Sequence, residues 1–142
     1  MNNPQKPVIL FVDDELHRTM KPFLDRIKSK FKQYEIVCPL TLEKAKQDFV
    51  THRERIQLII LDIQLAGSND DPDIAGLDLA RFVRLKSNSN VPIIVYTNLI
   101  RDDVARKFQE INVDEIMRKQ GKGEQLAHKV QTLLAIYHAT RS

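Results

Sequence analysis

The sequence predicts an α/β protein built on a doubly wound, five-stranded parallel sheet with five helices, and three observations carry that expectation. Short apolar runs alternate with segments of helical period along the whole chain. Three of the runs, at 7–12, 58–61 and 91–97, are rich in Val, Ile and Leu with no charge inside them, which suits strands buried on both faces. At 142 residues, 42% of them hydrophobic, the chain has the size of one domain with enough apolar mass for one core.

The first strand is Pro-Val-Ile-Leu-Phe-Val at 7–12, and it stops at Asp13, Asp14 and Glu15. A helix is expected from Leu16, because Met20, Phe23, Leu24, Ile27 and Phe31 recur at helical spacing while most lysines fall on other faces. A brief second strand at 35–38 ends before Pro39. Thr41 then suits the N-cap of a helix reaching Arg53 through Leu42, Ala45 and Phe49. The third strand, Leu-Ile-Ile-Leu-Asp at 58–62, delivers Asp62 to the point where the hydrophobic run stops. Residues 63–75 have loop chemistry, with acids at Asp70, Asp71 and Asp73. After Gly76 a helix turns Leu77, Ala80 and Val83 inward and closes at the polar turn 87–90. The fourth strand, 91–97, ends at Thr97. Asp102 and Asp103 open the next helix, where acids favour the positive N-terminal end. A short fifth strand at 114–117 leads to Arg118 and Lys119. The last helix carries Leu126, Val130, Leu133, Leu134 and Tyr137 along one side.

Composition excludes several classes. The 22 basic and 19 acidic side chains leave a charge of +3, too small and too interspersed to imply a nucleic-acid partner. Cys38 is the single cysteine, so no internal disulfide forms, and its apolar surroundings suit a buried thiol. No apolar run is long enough for a signal-peptide core or a membrane span, so a cytoplasmic protein without a membrane partner is expected. One domain over 1–142 is expected, its core at about 7–138 between short polar tails, with no output domain after the last helix.

In open α/β sheets ligands bind at the carboxyl ends of the strands. Four of the five predicted strands end there in functional groups: Asp13 and Asp14, Asp62, Thr97, and Lys119. Clustered carboxylates repel, so some are protonated or a cation is bound. Mg²⁺ suits them, since it takes oxygen ligands, keeps several waters and commonly uses one or two carboxylates with phosphate oxygens. Asp13, Asp14 and Asp62 can supply the protein's share. Lys119 and Thr97 add a positive charge and a hydroxyl donor, the groups that hold the oxygens of a phosphoryl group in transfer. Asp62 is then the nucleophile that forms an acyl phosphate.

This set, an acidic pair after the first strand, an aspartate ending the third, a threonine ending the fourth and a lysine after the fifth, resembles the receiver domains of two-component response regulators. The resemblance spans nearly the whole chain. It implies the flavodoxin-like receiver fold, with Asp62 as phosphoacceptor and Thr97 and Lys119 binding phosphoryl oxygens. Mg²⁺ would be ligated directly by Asp14, Asp62 and the backbone carbonyl of Gln64, with Asp13 acting largely through water. A stand-alone receiver is implied, charged by a histidine kinase or phosphotransfer protein in a phosphorelay. It would signal through an unidentified downstream protein and catalyse only its own phosphorylation and dephosphorylation. Whether phosphorylation drives a homodimer is left open.

Departures from the family pattern carry expectations too. Gln120 stands where the family usually has proline, so a trans peptide and an altered loop are expected. Ala66 replaces a proline, and the acidic path to Gly76 is long, which could present a different docking surface. Ile116 occupies a position that is often aromatic, so any switch uses another side chain. Gln64 and Leu99 flank the expected path of attacking water, and an apolar Leu99 should slow hydrolysis.

Other readings are weaker. A degenerate receiver acting as a phosphorylation-independent interaction module has no physical need of three clustered acids. A haloacid dehalogenase-like phosphatase needs a second acid two residues after its aspartate, where this chain has Gln64. A nucleotide-binding flavodoxin-like protein wants a glycine-rich loop where Asp13, Asp14 and Glu15 stand. Asp70, Asp71 and Asp73 lack a complete Ca²⁺-loop pattern, and the four histidines lack ligand spacing. His17 is expected at the surface.

Overall fold

The computed structural model describes residues 5–65, 74–98, 100–121 and 123–141. Its strands are β1 (Val8–Val12), β2 (Glu35–Val37), β3 (Ile56–Leu61), β4 (Ile93–Thr97) and β5 (Glu115–Arg118). Its helices are α1 (Lys21–Lys30), α2 (Leu42–His52), α3 (Ala75–Arg81), α4 (Asp102–Glu110) and α5 (Glu124–Arg141). The strands form one parallel sheet in the order β2-β1-β3-β4-β5, as the alternation of apolar runs and helical segments predicts.

The alternating side chains of the central strands feed two apolar layers. Val8, Leu10, Val12, Ile59, Leu61, Ile93 and Val95 pack on one face with α2, α3 and α4 residues such as Phe49, Leu79 and Phe108. Ile9, Phe11, Leu58, Ile60, Ile94 and Tyr96 pack on the other with Leu24 and Ile27 of α1 and Leu126 and Val130 of α5. Each fully buried aliphatic side chain contributes about 1.5–3 kcal/mol, so these uninterrupted runs fix the sheet and its register. Val12 pairs with Leu61 and Leu61 with Val95, so Asp13 and Asp62 leave the core side by side.

Two elements differ from their sequence expectation. The segment after Glu15 makes turns, with Arg18 and Met20 both donating to the Glu15 carbonyl, and α1 begins only at Lys21. Pro22 is the reason: it lacks an N–H and its ring clashes with the preceding turn, so it is tolerated only in a first turn. Leu16 and Met20 are buried all the same. The helix after Gly76 continues as a π-helical turn, Phe82–Lys86, closed by the bond from Ser87 N–H to the Phe82 carbonyl. Arg84 on that turn donates to the carbonyls of Ser89 (3.0 Å) and Val91 (2.6 Å) and to Asp114 Oδ1 (3.0 Å), tying it to the starts of β4 and β5.

Thr41 caps α2 as expected, its Oγ1 accepting from Lys44 N–H at 3.2 Å. Asp102 and Asp103 occupy the first turn of α4. The loop acids Asp70, Asp71 and Asp73, together with Ala66 and Leu99, lie outside the described residues.

Candidate functional site

The site forms where β1, β3, β4 and β5 end. Asp62 follows β3, held by its own N–H to the Val12 carbonyl at 3.0 Å. Its Oδ1 accepts from Ile63 N–H at 2.7 Å and its Oδ2 from Lys119 Nζ at 2.9 Å. The same ammonium donates to Asp13 Oδ2 at 2.8 Å, and Asp13 Oδ1 accepts from Glu15 N–H at 2.8 Å. Lys119 is aimed by its own backbone, whose N–H donates to the Thr97 carbonyl at 2.9 Å. Side-chain exposure ranks the three: Asp13 1%, Lys119 7%, Asp62 12%. The ammonium is therefore a buried bridge between a sealed carboxylate and one open to solvent.

Gly76 makes room for this end of β3. A Cβ at that position would lie 2.1 Å from the Asp62 carbonyl oxygen and 2.8 Å from Ile63 Cα. The Gly76 N–H donates to the Ile63 carbonyl at 2.7 Å, so the first turn of α3 lies directly against the backbone that carries Asp62.

An open cleft of about 520 Å³ faces the bridge. Asp14, Asp62, Lys119, Gln64, Asn98 and Gln120 line it, with Met20 and Phe23 as an apolar wall. Burial, then the charges of Glu15 and Asp62, push the Asp14 carboxyl above its usual range. Burial also pushes Asp13 up, against the opposing pull of the Lys119 and Glu15 hydrogen bonds. For Lys119, burial pulls the ammonium down, yet its bonds to Asp13 and Asp62 outweigh that and hold it above the usual lysine value. Three carboxylates against one ammonium leave two negative charges to be balanced.

The donor set suits a hard divalent cation. Asp14 and Asp62 front the same cleft beside Gln64, and Mg²⁺ commonly takes one or two carboxylates and keeps its waters. Asp13 sits behind the residues that line the cleft, with one carboxylate oxygen accepting from Lys119 and the other from Glu15 N–H. Among the described residues no group of three or more His, Cys, Asp and Glu side chains is placed to hold a metal ion.

Thr97 ends β4 and is 5% exposed, and it meets Lys119 through its backbone carbonyl. Asn98, one residue beyond, lines the cleft and was not singled out from sequence, although its place just past a strand end is the available signal. Phe23 and Met20, read from sequence as helix core, also form a wall of the site. The Lys119–Gln120 peptide is trans, as expected, and the loop it opens turns through Gly121 (φ +60°) and Gly123 (φ +97°).

The remaining candidates lie elsewhere. His17 is exposed, His52 Nδ1 meets Arg55 at 2.7 Å, and His138 Nε2 meets the Tyr34 hydroxyl at 3.1 Å. Cys38 is half-buried, and burial pushes its thiol up to about 11. Among the described residues no helix is long and apolar enough to cross a membrane.

No protein-family model matches the chain, and no curated protein matches it. Solved structures do. The signal receiver domain of a DNA-binding response regulator protein from Colwellia psychrerythraea 34H aligns with a TM-score of 0.74 at 14% identity, covering 92% of this chain and 99% of that one. A response regulator receiver domain protein from Clostridium thermocellum gives a TM-score of 0.73 at 18% identity, with 94% and 98% covered. A response regulator receiver protein from Pseudoalteromonas atlantica gives 0.71 at 19% identity, with 91% and 98% covered. With five parallel strands in the order β2-β1-β3-β4-β5 and near end-to-end likeness to these structures, the chain has the receiver-domain fold of response regulators.

Proposed function

We propose that the chain is a phosphoacceptor receiver that takes a phosphoryl group onto Asp62 from a histidine kinase or phosphotransfer protein. The observation that carries this reading is the Lys119 ammonium, bonded to both Asp62 and Asp13 at the mouth of a cleft fronted by Asp14. A buried cation beside a partly open carboxylate is an arrangement for a nucleophile whose product carries more negative charge than it does.

In the proposed step an Asp62 carboxylate oxygen forms a bond to phosphorus while the phosphorus–nitrogen bond to the donor's imidazole breaks. The freed imidazole takes a proton from solvent. Lys119 exchanges its bond to Asp62 Oδ2 for one to a phosphoryl oxygen, while Asp13 keeps hold of the ammonium. The Thr97 hydroxyl is the second donor, reached by an inward shift of the β4 end. Asp14, Asp62 and the Gln64 backbone carbonyl would hold Mg²⁺, which when bound neutralises the carboxylates and the transferring phosphoryl charge.

The chain then catalyses only its own phosphorylation and dephosphorylation. The output is a population shift: phosphate on Asp62 draws Thr97 and Lys119 inward and biases the face of α4, β5 and α5 toward a form that a downstream protein recognises. The test is amide NMR with Mg²⁺ and beryllofluoride, a non-hydrolysing phosphoryl mimic. The reading expects saturable shifts at the ends of β3, β4 and β5 that vanish in Asp62→Asn. A spectrum unchanged by Mg²⁺ and beryllofluoride would instead support the phosphorylation-independent binding module.

A further inference from the structure

We propose that Phe23 is a specificity-determining residue of the cleft: its ring receives the aromatic leaving group of the donor, so that a phosphoryl group on an imidazole nitrogen is taken in preference to one on a small acyclic group. The inference rests on the reading of this rim as a phosphoacceptor site.

The cleft is polar except along one side. Charged and carboxamide side chains line most of it, Asp14, Asp62, Lys119 and Gln64 among them, and Met20 and Phe23 are its large apolar residues. Met20 is 4% exposed, whereas Phe23 is only half-buried, so Phe23 offers the accessible apolar surface.

The ring is held in place by its neighbours. Pro22 sets Phe23 in the first turn of α1, where its N–H donates to the Met20 carbonyl at 3.1 Å. The ring meets that of buried Tyr96 edge-on, with centroids 5.8 Å apart and planes at 66°. It also lies against Gly123 in the loop after Lys119, where an added Cβ would come within 3.3 Å of the Phe23 ring and 3.5 Å of its Cα. Arg26, one turn further along α1, pairs with Glu124 at 3.0 Å and closes the same seam. A side chain pinned in this way loses little freedom when a donor covers it.

The chemistry names the occupant. Asp62 attacks phosphorus and the bond on the far side breaks, so the phosphoryl oxygens and the leaving group occupy different parts of the cleft. The oxygens require cations and hydrogen-bond donors, which Lys119 and the polar lining supply. The leaving imidazole keeps the electron pair of the phosphorus–nitrogen bond on its nitrogen and takes a proton from solvent. What it needs from the protein is a surface that matches a flat ring, and a phenyl ring is such a surface. A small acyclic leaving group gains nothing from it.

The test uses two donors that break the same kind of phosphorus–nitrogen bond: phosphoimidazole, which has a ring, and phosphoramidate, which has none. Intact-protein mass spectrometry with Mg²⁺ gives kcat/KM for each in wild type, Phe23→Leu, Phe23→Met and Phe23→Tyr. Comparing the phosphoimidazole-to-phosphoramidate ratio between proteins cancels the intrinsic reactivity of the donors and any loss common to both, such as a shifted Lys119 loop. The ratio should fall roughly three- to tenfold in Phe23→Leu and Phe23→Met, the size of an aromatic contact, and stay within about twofold in Phe23→Tyr, which keeps the ring. In wild type, KM for phosphoimidazole should lie below that for phosphoramidate. An unchanged ratio in the ring-less variants, an equal fall in Phe23→Tyr, or equal wild-type KM values overturns the proposal and leaves the receiver reading standing. Wild type that takes a phosphoryl group from neither donor overturns both.

Discussion

Gly76→Ala sets two physical effects against each other, and the structure decides the sign. Gly76 sits in the first turn of α3 without a positive φ, so helix propensity alone predicts that alanine stabilises by about 1 kcal/mol. The added Cβ, however, would lie 2.1 Å from the Asp62 carbonyl oxygen, 2.8 Å from Ile63 Cα and 2.9 Å from the Asp62 carbonyl carbon. All three are backbone atoms, so no side chain can swing away, and either α3 or the end of β3 must move. Overpacking of this kind costs about 3 kcal/mol, which leaves a net loss of about 2 kcal/mol. For a chain of this length that lowers Tm by about 6–8 °C. Urea unfolding should show a lower midpoint at unchanged slope. Gly121→Ala is the control: its φ of +60° costs alanine about 1 kcal/mol, and among the described residues beyond its chain neighbours an added Cβ meets only a flexible Glu124 carboxylate oxygen at 3.3 Å. A Gly76→Ala protein as stable as wild type, or more stable, would refute the claim that α3 lies hard against the Asp62 backbone.

Further outcomes follow from the bridge and its surroundings. Lys119→Met leaves Asp13, 1% exposed, and Asp62 facing each other without a cation, and should cost about 3 kcal/mol by urea melt, a loss that Asp13→Asn in the same chain largely restores. Because Lys119 titrates above 10.5 in the fold, that difference should stay flat from pH 7 to about 10 and disappear only as pH rises through the raised value. Asp14 titrates above its usual range, so its ionised form destabilises the fold, and the penalty grows as pH rises from 3.8. With a chelator present, Asp14→Asn should therefore melt higher than wild type at pH 7 and equal to it below pH 3.8; Mg²⁺ should raise the wild-type Tm and leave the variant's unchanged. Cys38, pushed up to about 11 by burial, should alkylate slowly at pH 7 and about tenfold faster per pH unit up to that value, whereas a plateau near pH 8.5 would contradict its burial.

The three central strands were legible because the chain spends uninterrupted apolar runs on them, and a run such as 58–61 has no other stable place than a doubly covered sheet. Asp13, Asp14 and Asp62 were legible as a group for the same reason, each standing where a buried run stops, and Lys119 follows the half-buried edge strand β5. α1 starts at Lys21, five residues after the Leu16 that apolar periodicity suggests, because Pro22 is tolerated only in a helix's first turn. What could not be read is geometry across the rim. Spacing alone does not tell that Lys119 reaches Asp13 as well as Asp62. Nor does it show that Gly76 must be glycine because of Asp62, or that Asn98 lines the cleft. Those facts depend on which strand ends meet at the rim, and only the folded sheet order supplies them.

The central claim is that Asp62, served by Lys119 and Mg²⁺, accepts a phosphoryl group. Intact-protein mass spectrometry after incubation with acetyl phosphate tests it most directly, using wild type, Asp62→Asn and a metal-free sample. The account predicts a single phosphoryl adduct on wild type with Mg²⁺ and none on the other two. An adduct that persists in Asp62→Asn or without metal, or no adduct on wild type with Mg²⁺, would contradict it.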